Sequence, residues 1–162
     1  MNNNIELREV VVGVQNNENK SVTERIQTVL AGLHIQYHNL RTFHWNITGP
    51  HFFTLHARFE ELYNDISAKV DESAERILAI GGKPGMALND YTRFSSLSDG
   101  SELTGAEEMV LKVLEGNEIL IKDIKQLVNV ASESGDDGTA DLFTGYIADF
   151  QKTNWMLKAF LA

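Results

Sequence analysis

The stretch HWNITGPHFFTLHARFEELYNDISAKVDESAER occupies residues 44–76 and indicates how the chain folds. After Pro50 its apolar residues recur every three or four positions, which is the spacing of a helix with one buried face. Pro50 suits the first turn of a helix, and the sequence Gly-Gly-Lys-Pro at 81–84 ends the pattern. The stretch therefore predicts a helix of about thirty residues, entered from an earlier helix that carries His44.

Three further helices are predicted on either side of this stretch. The first begins at about Ser21 and extends its apolar stripe as far as His44. Two more follow, one from Ala106 to a stop rich in Gly and Asp at 134–138, and one from about Thr139. Together they predict an all-α chain with four long helices.

The connection at residues 89–105 is longer than most loops in compact domains, and we expect a short helix around 91–94. A connection of that length can cross a bundle, so the sequence predicts a four-helix bundle with one long crossover between its second and third helices. The length of 162 residues fits one domain. We assign residues 21–162 to the bundle and residues 1–20, which are rich in asparagine, to an N-terminal tail in which 5–14 contain enough valine to pair or pack locally.

Composition excludes several classes of function. The chain has no cysteine, so a metal would have to be held by nitrogen and oxygen ligands. The net charge of −9 opposes attraction to the phosphates of nucleic acid and favours cations. Residues 1–14 have no basic segment followed by a long apolar one, and no later apolar run approaches the roughly 20 residues of a membrane span. We therefore expect a cytoplasmic protein that does not interact with membranes.

Two pairs of candidate metal ligands lie on the predicted second helix. His56 and Glu60 are four residues apart, as are Asp71 and Glu75, so each pair occupies consecutive turns of one helix face. The two pairs share a stripe but stand roughly 16 Å apart at about 1.5 Å per residue. One metal ion cannot reach both pairs within a single helix. Taken alone, each pair would be read more simply as exposed surface charge, although like charges at this spacing are mildly unfavourable for Asp71 and Glu75.

A second copy of the chain would bring the two pairs together. If two copies of the helix lie antiparallel and cross near Asp65 and Ile66, His56 and Glu60 of one copy face the carboxylates of the other, and a two-fold axis forms the site twice. His44 and His56 each lie six residues from Pro50, so an antiparallel helix pair brings the two imidazoles level. The predicted site therefore combines residues of two subunits, with three carboxylates that favour iron or manganese: His44, His56 and Glu60 from one, and Asp71 and Glu75 from its partner.

The sequence resembles the Dps family, the mini-ferritins named as DNA-binding proteins from starved cells. The likeness extends over the chain from about Ser21 and includes the twelve-residue step between the histidines and the Gly-Gly pair at 81–82. A weaker likeness lies at residues 137–141 and at Trp155. The residues that carry the resemblance are His44-Trp45-Asn46, Gly49, Phe52, His56, Asp71 and Ala74-Glu75-Arg76.

The resemblance implies a ferritin-like subunit in a hollow shell of twelve copies that oxidises ferrous iron, in preference with hydrogen peroxide, and stores ferric mineral, so protecting against oxidative damage. It implies that four of the predicted ligands, His44, His56, Asp71 and Glu75, are ferroxidase ligands shared across a two-fold interface. Glu60 stands where the family often has aspartate. Trp45 would lie beside the site and quench radicals, and Asp137 and Asp141 would line pores on the three-fold axes.

Simpler interpretations remain open for the residues outside the ligand set. His34 and His38 are four apart, but no carboxylate is expected near them, and we predict a structural or solvent-facing role. Trp45 would equally pack at a subunit interface. The acidic residues at 136–137 would form a solvated turn.

The sequence argues against two competing functions. A nucleoid protein that binds DNA directly would need a basic tail, whereas residues 1–20 carry two basic side chains against three acidic ones, and we expect little DNA binding. A di-iron oxygenase or typical ferritin would place Glu-x-x-His pairs inside one bundle, and here no glutamate precedes a histidine by three residues.

Overall fold

The computed structural model of the chain describes residues 17–85 and 87–162. All regular structure in this part of the chain is helical, which confirms the predicted all-α class and the predicted short helix in the crossover. We number the helices in chain order: α1 Asn17–Asn46, α2 Phe52–Ala79, α3 Leu88–Phe94, α4 Ala106–Glu133 and α5 Asp137–Phe160.

Three helices begin earlier than the sequence predicted. α1 begins at Asn17, so residues 17–20, assigned above to the tail, are helical; they contain no glycine or proline to interrupt the backbone. α3 begins at Leu88, where the Asp90 carboxylate accepts a hydrogen bond from the Ala87 N–H. α5 begins at Asp137 because the preceding residue caps it. The predictions for residues 1–16, including local packing of 5–14, lie outside the described residues.

The helices pack as two antiparallel hairpins, α1 with α2 and α4 with α5, and α1 also lies against α4. Apolar side chains at helical spacing fill the space between them, and burying each large one contributes roughly 1.5–3 kcal/mol. None of the helices in the described ranges is long and apolar enough to cross a membrane. The largest fully buried side chains include Ile26, Leu33, Leu40, Phe43, Leu55, Phe59, Ile77, Met109, Leu120, Ile124 and Phe143.

The crossover is held against α1 by one buried amide. Asn39 donates a hydrogen bond of 3.1 Å to the Ser98 carbonyl and accepts one of 2.9 Å from the Gly100 N–H. Gly100 lies directly on the Phe43 ring, where an added Cβ would come within 2.9 Å of a ring carbon. Further along, α3 contacts α1 through the Tyr91 ring, which stacks on His34 with centroids 4.0 Å apart.

A buried row of amides joins α1, α4 and α5 in the middle of the bundle. Gln36 donates to the Val113 carbonyl at 3.0 Å and to the Asn117 side chain at 2.9 Å. Asn117 in turn donates to Asn154 at 2.8 Å. Gly116 lies so close to Gln36 that a Cβ there would come within 2.2 Å of its side-chain oxygen. Because buried amides are costly unless paired, this row favours one register of the three helices.

α2 and α5 meet through long polar side chains. Lys69 is 5% exposed and donates to Asp65 at 2.9 Å and to Asp149 at 3.0 Å. Burial alone would lower the pKa of Lys69, but the hydrogen bonds to the two carboxylates outweigh it and raise that pKa. One turn further along α2, the Glu72 carboxylate accepts a hydrogen bond of 2.7 Å from the Tyr146 hydroxyl of α5. These contacts keep the outer face of α2, which carries the predicted ligands, turned away from the bundle.

Candidate metal half-site

His44 and His56 face each other across the α1–α2 hairpin. The turn between the two helices is made at Gly49, whose φ of 89° would be strained in a residue with a side chain. Pro50 follows it. The two imidazoles stack with centroids 3.8 Å apart and planes 19° from parallel. The equal distance of both histidines from the turn therefore brings them level, as the sequence predicted.

Each of these histidines is oriented by the backbone of the other. His44 Nδ1 lies 2.8 Å from the His56 carbonyl oxygen, and His56 Nδ1 lies 2.8 Å from the His44 carbonyl oxygen. A carbonyl only accepts, so both Nδ1 atoms donate, and the Nε2 atom of each neutral ring keeps its lone pair. The His44 carbonyl is available because it lies in the last turn of α1, where helix carbonyls lack intrahelical partners. The pair thus presents two nitrogen donors suited to a metal ion.

Other rings hold this pair in place. Phe52 stacks on the outer side of His56, with centroids 4.9 Å apart. Tyr63 meets His44 edge to face at 5.4 Å and 83°. His44 is 9% exposed, so its freedom to rotate is small.

Glu60 lies one turn beyond His56 on the exposed face of α2. Its Oε1 atom accepts a hydrogen bond of 3.3 Å from the Tyr63 hydroxyl. Burial, and then the neighbouring Glu60 carboxylate, raise the pKa of Tyr63. Tyr63 was not predicted as a site residue, although its position seven residues after His56 places it on the same helix face.

Asp71 and Glu75 are both exposed on α2, and within the described residues neither has a hydrogen-bond or ion-pair partner. The described part of one chain brings no three His, Cys, Asp or Glu side chains together in a group that would hold a metal ion. The structure therefore brings His44 and His56 together and gathers none of the carboxylates of Glu60, Asp71 and Glu75 with them into a group of three within the described residues. The five-residue site shared by two subunits stays a prediction.

Trp45 follows His44 but points outward, and its side chain is 61% exposed. The Arg41 guanidinium covers its ring at 4.7 Å and also approaches the Tyr37 ring at 5.3 Å. Nearby on α2, Phe53 is 86% exposed. A role for Trp45 in quenching radicals, or in packing at a subunit interface, stays a prediction.

Asp137 and Asp141 are exposed on the first turns of α5, four residues apart. Their place at a pore stays a prediction. The turn before them is not merely solvated, because Asp136 accepts from the Thr139 N–H at 3.0 Å and pairs with Arg76 of α2. Burial alone would raise the pKa of Asp136, but its hydrogen bonds with Thr139 and Arg76 hold that pKa below its usual value.

The expectation that no carboxylate lies near His34 and His38 is wrong for His38. The crossover brings Asp99 to 3.8 Å from His38 Nε2, a contact that the linear sequence could not show. The His38 and Asp99 side chains are both exposed, so the pair contributes little. His34 stacks on Tyr91, and burial lowers its pKa, which agrees with the structural role predicted for it.

Comparison with known proteins gives the family context of this fold and of the half-site, which is the pair of His44 and His56. Residues 23–162 match the ferritin-like domain family. The chain is 40% identical over 143 residues to DNA protection during starvation protein 2 of Bacillus anthracis, covering 88% of this chain and 98% of that one. It is 37% identical over 150 residues to the DNA protection during starvation protein of Porphyromonas gingivalis, covering 93% and 94%.

Solved structures agree with the sequence relatives. The Dps protein from Vibrio cholerae O1, described as a member of a broad superfamily of ferritin-like diiron-carboxylate proteins, superimposes with a TM-score of 0.89 at 32% identity. That match covers 93% of this chain and 95% of the other. A Dps protein from Bacillus brevis also gives a TM-score of 0.89, at 36% identity, over 92% of this chain and all of its own.

Proposed function

The chain belongs to the Dps family of ferritin-like proteins, and from that membership we propose that it is a ferroxidase that oxidises ferrous iron and stores the ferric product. The observation that carries this proposal is the His44–His56 pair. Both Nδ1 atoms are engaged by backbone carbonyls, so both Nε2 atoms are available for metal. A ring held in this way by its other nitrogen is the usual arrangement of a histidine ligand.

The iron site is completed by a second subunit. His44, His56 and Glu60 of one subunit bind the ferrous ions together with Asp71 and Glu75 of the partner subunit. The exposure of all three carboxylates supports this arrangement, as does the distance of Asp71 and Glu75 from the histidines along α2, because the described residues of one chain gather no complete ligand set. The nitrogen and oxygen donor set fits iron.

The reaction follows from holding two ferrous ions close together. Each ion gives one electron to the same hydrogen peroxide molecule, the O–O bond breaks, and two protons complete two water molecules. Delivering both electrons together avoids the hydroxyl radical that a single electron would release. The carboxylates offset the charge of the ions, and the fixed imidazoles keep their positions constant during turnover. The likeness to the Dps family is the reason for proposing hydrogen peroxide as the preferred oxidant.

The ferric product is stored as mineral inside a cytoplasmic shell of twelve subunits. Its two-fold interfaces form the ferroxidase sites, and Asp137 and Asp141 line pores through which ferrous iron enters. The net charge of −9 supports attraction of cations to such a shell. Oxidative damage is limited because both ferrous iron and peroxide are consumed.

The experiment uses two complementary single variants. Ferrous iron and hydrogen peroxide are added without oxygen, and absorbance in the near ultraviolet reports ferric iron. We expect His44→Ala and Asp71→Ala each to lose at least about tenfold in rate, as expected for loss of a metal ligand. His34→Ala, which changes a histidine outside the site, is the matched control and keeps the rate.

Mixing the two defective subunits tests where the site lies. A dimer of His44→Ala with Asp71→Ala has one site with both defects and one site with neither, so co-assembly restores up to about half of the rate. Full activity in the variant that carries both substitutions would contradict the assignment of His44 and Asp71 as ferroxidase ligands. Activity lost in the single variants but not regained on co-assembly would instead locate the site within one chain.

A further inference from the structure

Tyr63 contacts two of the proposed iron ligands without being one of them. Its hydroxyl donates to Glu60 Oε1 at 3.3 Å, and its ring lies edge-on against His44. The ring also meets Tyr37 of α1, with centroids 6.0 Å apart and planes at 90°. The Tyr63 ring is therefore packed against two rings of α1.

The Glu60 side chain has no comparable confinement. It is exposed, and a glutamate side chain has three rotatable torsions whose freedom is lost when the carboxylate is fixed. Within the described residues, the Tyr63 hydroxyl is its side-chain hydrogen-bond partner. A carboxylate has about four lone-pair positions, so accepting this bond leaves others free for a metal ion.

We propose that Tyr63 is a positioning residue of the ferroxidase site, which fixes the Glu60 carboxylate beside the His44–His56 pair. This inference rests on the proposed function. A tyrosine has two side-chain torsions, and here its ring is already packed, so the hydroxyl restrains the carboxylate at little entropic cost. Tyr63 thereby limits the torsional freedom of the Glu60 side chain.

The test uses Co²⁺ as a spectroscopic probe that binds similar ligands without being oxidised by the assay. Tyr63→Phe keeps the ring and removes the hydroxyl. We expect the intact assembly to bind Co²⁺ about three- to tenfold more weakly, as loss of one hydrogen bond to a charged group implies, with a changed visible absorption band. In the iron assay, KM rises by a similar factor while kcat changes little.

Two further variants separate positioning from packing. Tyr37→Phe removes the hydroxyl of the neighbouring ring, which does not contact Glu60, and leaves Co²⁺ binding unchanged. In a Glu60→Asp background the shorter side chain no longer reaches the Tyr63 hydroxyl, so adding Tyr63→Phe has no further effect. A purely structural role would give the same loss in both backgrounds.

The outcomes are distinguishable. If the unmodified protein binds Co²⁺ at the half-site and Tyr63→Phe binds it equally well, the positioning role is wrong and the ferroxidase proposal stands. An equal loss with and without Glu60→Asp also overturns the positioning role. If the unmodified protein binds no Co²⁺ and oxidises no iron, the proposed function itself fails, and this inference fails with it.

Discussion

Asp136 joins the end of α2 to the start of α5. Its carboxylate caps α5 through the Thr139 N–H and pairs with Arg76. Its pKa is depressed, so the stabilisation is present above the unfolded-state pKa and is lost as the pH falls through the folded-state value. Asp136→Asn keeps a capping oxygen and removes the charge.

We expect Asp136→Asn to lower the free energy of unfolding by roughly 1–2 kcal/mol at neutral pH. The difference between the two proteins shrinks as the medium becomes acidic, because the native carboxylate is then protonated too. Thermal denaturation across this pH range measures it. Asp137→Asn, on the exposed neighbour, is the control with little effect; a difference that grows in acid would contradict the assignment.

Single residues of the half-site were predictable only in part. Spacing from the turn was enough to bring His44 level with His56, because helix geometry fixes the rise per residue. Spacing does not determine ring rotation, so the exchange of Nδ1–carbonyl hydrogen bonds appeared only in the structure. Tyr63 was not predictable, because a residue that orients a ligand carries no metal-binding signature.

Among the helices, α1 and α4 approach each other closely at Gly116. A Cβ there would meet the Gln36 side chain at 2.2 Å, and Gln36 cannot move without losing its hydrogen bonds to Val113 and Asn117. We expect Gly116→Ala to destabilise the protein by roughly 1–3 kcal/mol, a drop of several degrees in Tm. Denaturation at equal protein concentration measures it.

Gly145 provides the matched control for that substitution. It also lies within a helix, α5, but it is exposed and an added Cβ would meet nothing within 4 Å. Gly145→Ala should therefore stabilise the protein by about 0.5–1 kcal/mol through helix propensity. Opposite signs for the two variants are expected; a stabilising Gly116→Ala would show that α1 and α4 are further apart than described.

Helix number and order were predictable because apolar spacing repeats over each long helix. The first residues of the helices were less predictable, because each start depends on a single capping residue. The cap at Asp136 lies in a segment that also fits a solvated turn, and α3 is too short for periodicity to define. The meeting of Asp99 with His38 depends on the path of the crossover, which no local pattern specifies.

For the whole molecule, net charge predicts how it behaves towards DNA. Relatives carry the name DNA protection during starvation protein, yet this chain has a net charge of −9 and residues 1–20 are net acidic. We expect no retarded band in a gel-shift assay below about 1 µM protein at physiological salt. Protection of DNA would then act through removal of iron and peroxide.

Charge reversal in the first residues provides the comparison for that assay. Replacing Glu6, Glu9 and Glu18 with lysine should create a gel shift that weakens steeply with salt, because each lysine would displace counterions from phosphate. A shift by the unmodified protein that survives physiological salt would contradict the prediction. Assembly stays a prediction, made from the split ligand pairs and from the resemblance to the Dps family, since surface complementarity between copies leaves no simple pattern in one sequence.

The histidine pair of the α1–α2 hairpin has a consequence for observing the molecule. Both imidazole N–H groups donate to main-chain oxygens of the opposite helix, so both hydrogen bonds depend on how the two helices are aligned. Sliding one helix along the other by a single residue would break both bonds at once. The nuclear magnetic resonance signals of the two imidazole protons should therefore report the alignment of the hairpin.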